Sequence, residues 1–215
     1  GTLTKAATGK WQAANGISPT AGYFGPITRA KVNALGGGVV TPPAGGGVVV
    51  PAPASGMTVS LAPENPAAGS LISSASTAAA RVPVLAVRLT AGTASGITVS
   101  DLKFNKTGVI SDSSISGAYL VESGKVVAQY NSISGGVITF SGLGLSVAAG
   151  QTRTLTFSID PATGLSAGNT VGFALSAATD VSATDATNAA VTVTGAFPLN
   201  GNTFTVTTVS NPAIA

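Results

Sequence analysis

Leu155-Thr156-Phe157-Ser158-Ile159 alternates large apolar side chains with short polar ones. A period of two marks a strand with one face in a core and the other toward water. The same phase recurs in Leu85-Ala86-Val87-Arg88-Leu89 and in Val171-Gly172-Phe173-Ala174-Leu175. Further strands are expected at Met57 to Leu61, Ile97 to Phe104, Ala118 to Glu122, Val126 to Tyr130, Val137 to Phe140, Ala190 to Val193 and Thr203 to Thr208. Within Ile97 to Phe104 the apolar phase slips between Val99 and Leu102, which predicts a bulge. Ser123-Gly124 predicts a two-residue hairpin turn and Ser134-Gly135-Gly136 a longer one. About ten short strands with frequent turns and no helical period make Met57 to Ala215 a mainly β domain, an immunoglobulin-like β-sandwich, with a barrel as the alternative.

Ahead of this region, Thr4 to Asn15 carries helix formers, with Ala7, Trp11 and Ala14 at offsets of four and three and so on one face. Asn15-Gly16 is a C-terminal stop. Gly25-Pro26-Ile27-Thr28 opens a second helix with Pro in its first turn, and Ile27, Ala30, Val32 and Leu35 give it an apolar side. Two helices over Gly1 to Leu35 bury too little surface to stand alone. Trp11, Tyr23 and Phe24 are therefore expected to need cover from a partner subunit or a wall ligand.

Three segments carry a resemblance: Thr2-Leu3-Thr4-Lys5-Ala6-Ala7, Lys10-Trp11-Gln12-Ala13-Ala14-Asn15-Gly16-Ile17, and Gly22-Tyr23-Phe24-Gly25-Pro26-Ile27-Thr28-Arg29-Ala30-Lys31-Val32. Together they resemble the last two helices of the bacterial peptidoglycan-binding domain type 1, truncated by loss of its first helix. The resemblance implies a wall-binding ancestry for Gly1 to Leu35. In the β region, Val87-Arg88-Leu89-Thr90-Ala91, Ile97-Thr98-Val99-Ser100-Asp101-Leu102, Ile115-Ser116-Gly117-Ala118-Tyr119-Leu120-Val121 and Gly150-Gln151-Thr152-Arg153-Thr154-Leu155 resemble sandwich domains of bacterial surface proteins. That likeness implies an extracellular or cell-surface location.

Between the two regions, Gly36 to Gly56 reads GGGVVTPPAGGGVVVPAPASG. Glycine triplets loosen the chain and prolines favour extended geometry, as in a linker. Val39-Val40 and Val48-Val49-Val50 are β-branched apolar runs that a solubilising tether would lack, and such a run is suited to a sheet edge. Residues 36 to 56 are thus a linker or a donor-strand arm.

Composition narrows the function. Of the 215 residues 44% are hydrophobic and 8% charged, too apolar for disorder and too sparsely charged for repulsion to keep copies apart. Ten Lys and Arg against seven Asp and Glu give +3, but the cations are scattered singly from Lys5 to Arg153, which excludes a phosphate-binding row and hence nucleic acid. Without Cys or His, thiolate nucleophiles, disulfides, nitrogen- or sulfur-ligated zinc and imidazole bases are all excluded. No apolar run approaches the roughly 18 to 20 residues of a membrane span, so no membrane-spanning segment is expected. The chain opens on Gly1, which is read as a targeting peptide already removed.

The acids are Glu64, Asp101, Asp112, Glu122, Asp160, Asp180 and Asp185. Glycoside hydrolysis needs two carboxylates facing across a cleft. Most of these lie in turns beside Ser, Gly or Pro, where Asp bonds its own backbone, so no catalytic residue and no enzyme activity are expected. Asp180 and Asp185, with Asn188, are candidate oxygen ligands for calcium. The Asp-x-Asp-x-Asp-Gly spacing is missing, so a polar loop is the preferred reading and no cofactor is expected. The glycine triplets precede no phosphate-binding helix and act as hinges.

These observations predict an extracellular structural protein, a subunit that assembles with itself into a filament, tube or surface layer by strand exchange. Val48 to Ala54 or Thr203 to Ala215 would be the donor, since an open sandwich has edges to cover. Trp11, Tyr23, Phe24, Val48, Val49 and Val50 are the expected assembly or wall contacts. The alternative is a wall-associated surface protein or adhesin whose partner is peptidoglycan.

Overall fold

The alternation around Phe157 folds as a strand with one face fully buried. The computed structural model describes residues 2–18, 20, 22, 23, 28, 54–130 and 133–208. The chain divides into two compact units, Gly1–Gly46 and Gly47–Ala215. In chain order the elements are helix α1 (Thr2–Ala14) and strands β1 (Met57–Leu61), β2 (Gly69–Ile72), β3 (Val82–Ala91), β4 (Ile97–Gly108), β5 (Ile115–Glu122), β6 (Lys125–Tyr130), β7 (Val137–Phe140), β8 (Leu145–Val147), β9 (Thr152–Pro161), β10 (Thr170–Leu175), β11 (Val181–Asp185), β12 (Val193–Thr194), β13 (Leu199–Asn200) and β14 (Phe204–Thr207).

The strands form two sheets with the core between them. One runs β12-β1-β3-β9-β5-β6; the other runs β11-β4-β10-β14-β2, with β13 beside β10 and with β7 and β8 beside β4. Leu85 and Val87 of β3 pair with Phe157 and Leu155 of β9, placing four buried side chains on one inner face. Phe157 stacks on Phe104 of the facing sheet, with centroids 4.4 Å apart, and meets Phe140 and Phe173 edge-on. The predicted bulge falls at Ser100: Asp101 pairs with Ser182 and Val99 with Ala183, leaving Ser100 as the extra residue on β4.

Several expectations change. There are fourteen strands among the described residues; the unanticipated ones, β2, β8, β11 and β13, have two to five residues each, too few for a period to show. An immunoglobulin sandwich has antiparallel sheets. Here each sheet contains a parallel pair, β1 with β12 and β2 with β14, so the architecture is mainly β and sandwich-like with two mixed sheets. Thr203 to Ala215 does not supply a free arm over Phe204–Thr207: that stretch is β14, paired to β10 and β2 with Phe204 and Val206 buried. α1 is the one α-helix described in full. Of the second expected helix only Thr28 is described, and it is helical; the rest of Gly25 to Leu35 lies outside the described residues.

The outer face of the six-stranded sheet is lined with hydroxyls. Thr58 meets Thr194 at 3.2 Å and Thr90 meets Thr152 at 2.8 Å, oxygen to oxygen. Arg88 lies on this face between Ser60 and Thr154, and its Nε is buried with no partner among the described residues. An unsatisfied buried donor costs about 1–3 kcal/mol. Arg88→Met keeps the apolar stem and removes that atom, so it is expected to raise the melting temperature by about 2–4 °C, the equivalent of about 1 kcal/mol in a unit of this size. A fall in scanning calorimetry would show that the guanidinium is held.

In the unit Gly1–Gly46, α1 ends as the sequence predicts. Gly16 is left-handed at φ +70°, the Gly16 N–H donates to Ala13 O and the Ile17 N–H to Gln12 O, a Schellman stop. The expected apolar face does not form, because Ala7 and Ala14 are exposed and Trp11 is half-buried. The helix instead buries Gln12, 2% exposed. Its amide donates to Tyr23 O and to Thr28 Oγ1, each at 2.8 Å, and its Oε1 accepts from the Gly22 N–H at 2.9 Å. Gly22 sits at φ +66°, and a Cβ there would run into the Lys5 carbonyl oxygen, so the turn requires glycine.

Candidate functional site

Two sheets packed face to face leave edges, and here two of them meet. Among the described residues β6 is the last strand of its sheet, paired with β5, and β7 pairs with β4 and has no strand on its other side. Between them runs a groove of about 300 Å³ lined by Ala128, Gln129, Tyr130, Thr139, Phe140, Ser141 and Leu143. That is the lower end of the range for small-molecule pockets, about 300–1,000 Å³, and it suits a few side chains of an extended segment. No lining residue is charged.

Local sequence sets both walls. Ser123 and Gly124 both have positive φ, +49° and +79°, as a type I′ hairpin requires, and they turn β5 into β6. Gly135 and Gly136, at +59° and +73°, do the same ahead of β7, where Ser134 bridges Val137. Asp112 fixes this second turn: its Oδ2 accepts from the Gly136 N–H at 2.9 Å and its Oδ1 lies 3.2 Å from Lys106 Nζ. The Gly136 bond, then Lys106, holds the Asp112 carboxyl below its ordinary range. The floor is continuous with the core, since Phe140 is buried and packs edge-on against Phe104 and Phe157. Tyr130, 40% exposed, meets Phe140 at 6.3 Å between centroids.

The edge of β6 is protected along half its length. Lys125 begins it, and Val127 is an extra residue, since Leu120 pairs with Ala128 while Val121 pairs with Val126. Charge and bulge both discourage pairing there. Ala128 to Tyr130, beside the groove, have neither device.

Several of the remaining charges are tied into the fold. Arg153 donates through Nε to Glu122 Oε1 at 2.7 Å, contacts Oε2 with Nη2 and donates through Nη1 to Ser146 O at 2.9 Å, tying the two sheets together. The Arg153 hydrogen bond holds Glu122 below its ordinary range and raises the guanidinium in turn. Asp160 accepts from the Arg81 N–H at 2.5 Å and from the Tyr119 hydroxyl at 2.7 Å, and that hydroxyl bond raises the Tyr119 phenol.

The candidate calcium ligands are placed at opposite ends of β11. Asp180, 5% exposed, accepts from the Ser176 and Ala177 N–H groups at 2.7 and 3.2 Å and from Asn105 Nδ2 at 2.8 Å, with Lys103 Nζ 3.6 Å away. Asp185 caps its own turn through the N–H groups of Thr187 and Ala189 and the Thr187 hydroxyl, which lower its carboxyl. Asn188 takes the left-handed conformation in that turn. No group of three or more His, Cys, Asp or Glu residues fit to hold a metal occurs among the described residues. Of the expected contacts, Trp11 and Tyr23 lie in the N-terminal unit, with Tyr23 71% exposed. Phe24, Val48, Val49 and Val50 lie outside the described residues. The groove residues were not anticipated: Tyr130 falls on the strand period and reads as core, and only its terminal place in the sheet exposes it.

The fold and the groove define a two-sheet β protein with an open seam. No family model and no curated protein matches the chain. Among solved structures it is similar to a family 123 glycoside hydrolase from Clostridium perfringens, studied for glycolipid glycan hydrolysis, at 10% identity and a TM-score of 0.31; the match covers 73% of this chain and 28% of that one. The expectation that the chain is not an enzyme is withdrawn on this likeness to a hydrolase. A TM-score of 0.31 carries no activity across, and none is assigned. No helix among the described residues is long and apolar enough to cross a membrane.

Proposed function

We propose that this is an extracellular structural subunit that assembles with copies of itself into a filament, tube or surface layer by strand exchange. The seam groove is the observation that carries the reading. It lies where β6 ends one sheet and β7 borders the other, over an apolar floor, and an extended segment laid there gains main-chain hydrogen bonds from β7 and buries side chains against Tyr130 and Phe140. Sparse charge across the chain lowers the electrostatic cost of packing copies together. A head-to-tail contact of this type does not close on itself and so propagates. Electron microscopy and sedimentation of the purified chain at rising concentration test it. Polymers are expected, and deletion of Val48 to Pro53 is expected to abolish them while leaving the β circular dichroism intact. A strictly monomeric protein at millimolar concentration would overturn the reading.

A second reading, wall binding through the N-terminal unit, is favoured by the exposure of Tyr23, with Trp11 half-buried in the same unit. It requires retention on insoluble peptidoglycan that Tyr23→Ala removes.

A further inference from the structure

We propose that Asp112 is an acid-released latch on the groove: its carboxylate fastens the turn ahead of β7 at neutral pH, and its protonation lets that wall move. The latch is a property of the single chain, and its effect on assembly rests on the strand-exchange reading.

Packing does little to hold the turn Ser134 to Val137. Ser134 and Val137 exchange backbone bonds at 3.3 and 3.1 Å, and a Cβ built on Gly135 or Gly136 would meet nothing within 4 Å. Gly136 is instead pinned through both of its backbone groups. Its carbonyl accepts from the Lys106 N–H at 2.7 Å, and its N–H donates to Asp112 Oδ2 at 2.9 Å. Lys106 closes the circuit, because its Nζ lies 3.2 Å from Asp112 Oδ1 and also donates to Ile110 O. One residue on, Val137 pairs with Asn105, and the ladder continues to Phe140 opposite Leu102. Thr139 and Phe140 of the groove wall thus stand on a four-residue strand that starts beside the pinned glycine.

Asp112 is the member of this circuit that changes charge in acid. Lys106 of β4 is the charged group that meets it, and Ser134 to Val137 carries no titratable side chain. On its own segment the Ser111, Ser113 and Ser114 hydroxyls bond one another. The Asp112 side chain is 30% exposed, so a proton reaches it without opening the core. The Gly136 bond and then Lys106 hold its carboxyl below the ordinary range. A carboxyl lowered on folding stabilises above its unfolded value, and that contribution is lost as pH falls through the folded one. The latch therefore stays shut through mild acid and opens only below the ordinary aspartate range. A neutral carboxylic acid accepts a weaker hydrogen bond than a carboxylate and has no ion pair with Lys106, so Gly136 keeps one of its two anchors.

The amide shift and hydrogen-exchange protection of Gly136, followed by NMR across the ordinary aspartate range from about pH 6 to about pH 2, test the latch. The wild-type shift is expected to follow one titration at the low end of that span, with protection falling at least tenfold across it while the amides of β9 stay protected. Asp112→Asn keeps the shape without the charge and is expected to show low Gly136 protection at every pH. Lys106→Met keeps the stem without the cation and is expected to move the titration upward. Near neutral pH, Asp112→Asn is expected to cut polymer yield about threefold or more. A Gly136 amide that ignores pH, or whose titration survives Asp112→Asn, would overturn the latch and leave strand exchange standing. Full polymer yield from Asp112→Asn despite lost protection would overturn its control of the groove. Polymers absent at every pH, with the Gly136 titration intact, would overturn strand exchange and leave the latch.

Discussion

Phe157→Ala is expected to lower the melting temperature of the unit Gly47–Ala215 by about 10 °C, the largest loss from any single truncation in the sandwich. Phe157 is 1% exposed on β9, in the interior of the six-stranded sheet. Its ring lies parallel to Phe104 at an interplanar angle of 6° and nearly perpendicular to Phe140 and Phe173, at 76° and 77°. All three partners belong to the facing sheet, so this one ring joins the two layers. Truncating a buried Phe to Ala costs about 3–5 kcal/mol, through lost transfer energy and the cavity left behind, and the aromatic pairs add about 0.5–1.5 kcal/mol each beyond buried area. Against a typical total stability of about 5–15 kcal/mol, and at about 2–4 °C per kcal/mol for a unit of this size, the shift follows. Phe157→Leu refills most of the volume and is expected to lose less than half as much. Calorimetry that finds a drop below about 3 °C for the alanine variant would show that the sheets are held together elsewhere. Phe140 couples this junction to the seam, so the same substitution is expected to loosen the floor of the groove.

The parts legible in the sequence were those with a local signal. Long strands with a large residue at every second position, β3, β9 and β10, are visible because their period survives over three repeats. The slip between Val99 and Leu102 was readable as a bulge for the same reason: three residues of clear phase flank it on each side in β4. The Ser123-Gly124 and Gly135-Gly136 turns announce themselves through residues that tolerate positive φ. What the sequence hid was decided by partners distant along the chain. β13 has two residues and exists because β10 holds it in register, and β12, expected at Ala190 to Val193, is set at Val193–Thr194 by its pairing with β1. The parallel pairing of β14 with β2 joins segments more than a hundred residues apart, and no local pattern specifies it. The groove was invisible because it is a property of sheet order: Tyr130 has the same spacing as a core residue but stands on β6, the last strand of its sheet among the described residues.

The helical unit fails as an apolar-face prediction for a physical reason, and that reason gives the second large effect. Gln12→Ala is expected to unfold the unit Gly1–Gly46 at room temperature. The side chain of Gln12 supplies both donors and an acceptor to Tyr23 O, Thr28 Oγ1 and the Gly22 N–H. Removing it takes the acceptor from the Gly22 N–H and the donor from Thr28 Oγ1, and leaves Tyr23 O the 3.4 Å bond from the Thr28 hydroxyl. A hydrogen bond lost from a buried network costs about 1–3 kcal/mol, and a unit of this size has little stability to lose. Trp11 is the single tryptophan of the chain and adjoins Gln12, so its emission reports this unit alone. The expected result is a red-shifted emission that no longer changes cooperatively on heating, with the β circular dichroism retained, because the core of the sandwich is built from residues beyond Met57. Thr28→Val, which removes one hydroxyl and keeps the shape, is expected to fall between wild type and Gln12→Ala. An unshifted emission in the alanine variant would mean that apolar packing, rather than the amide, holds α1 against its turn. In that case the half-buried indole would become the residue on which this unit depends.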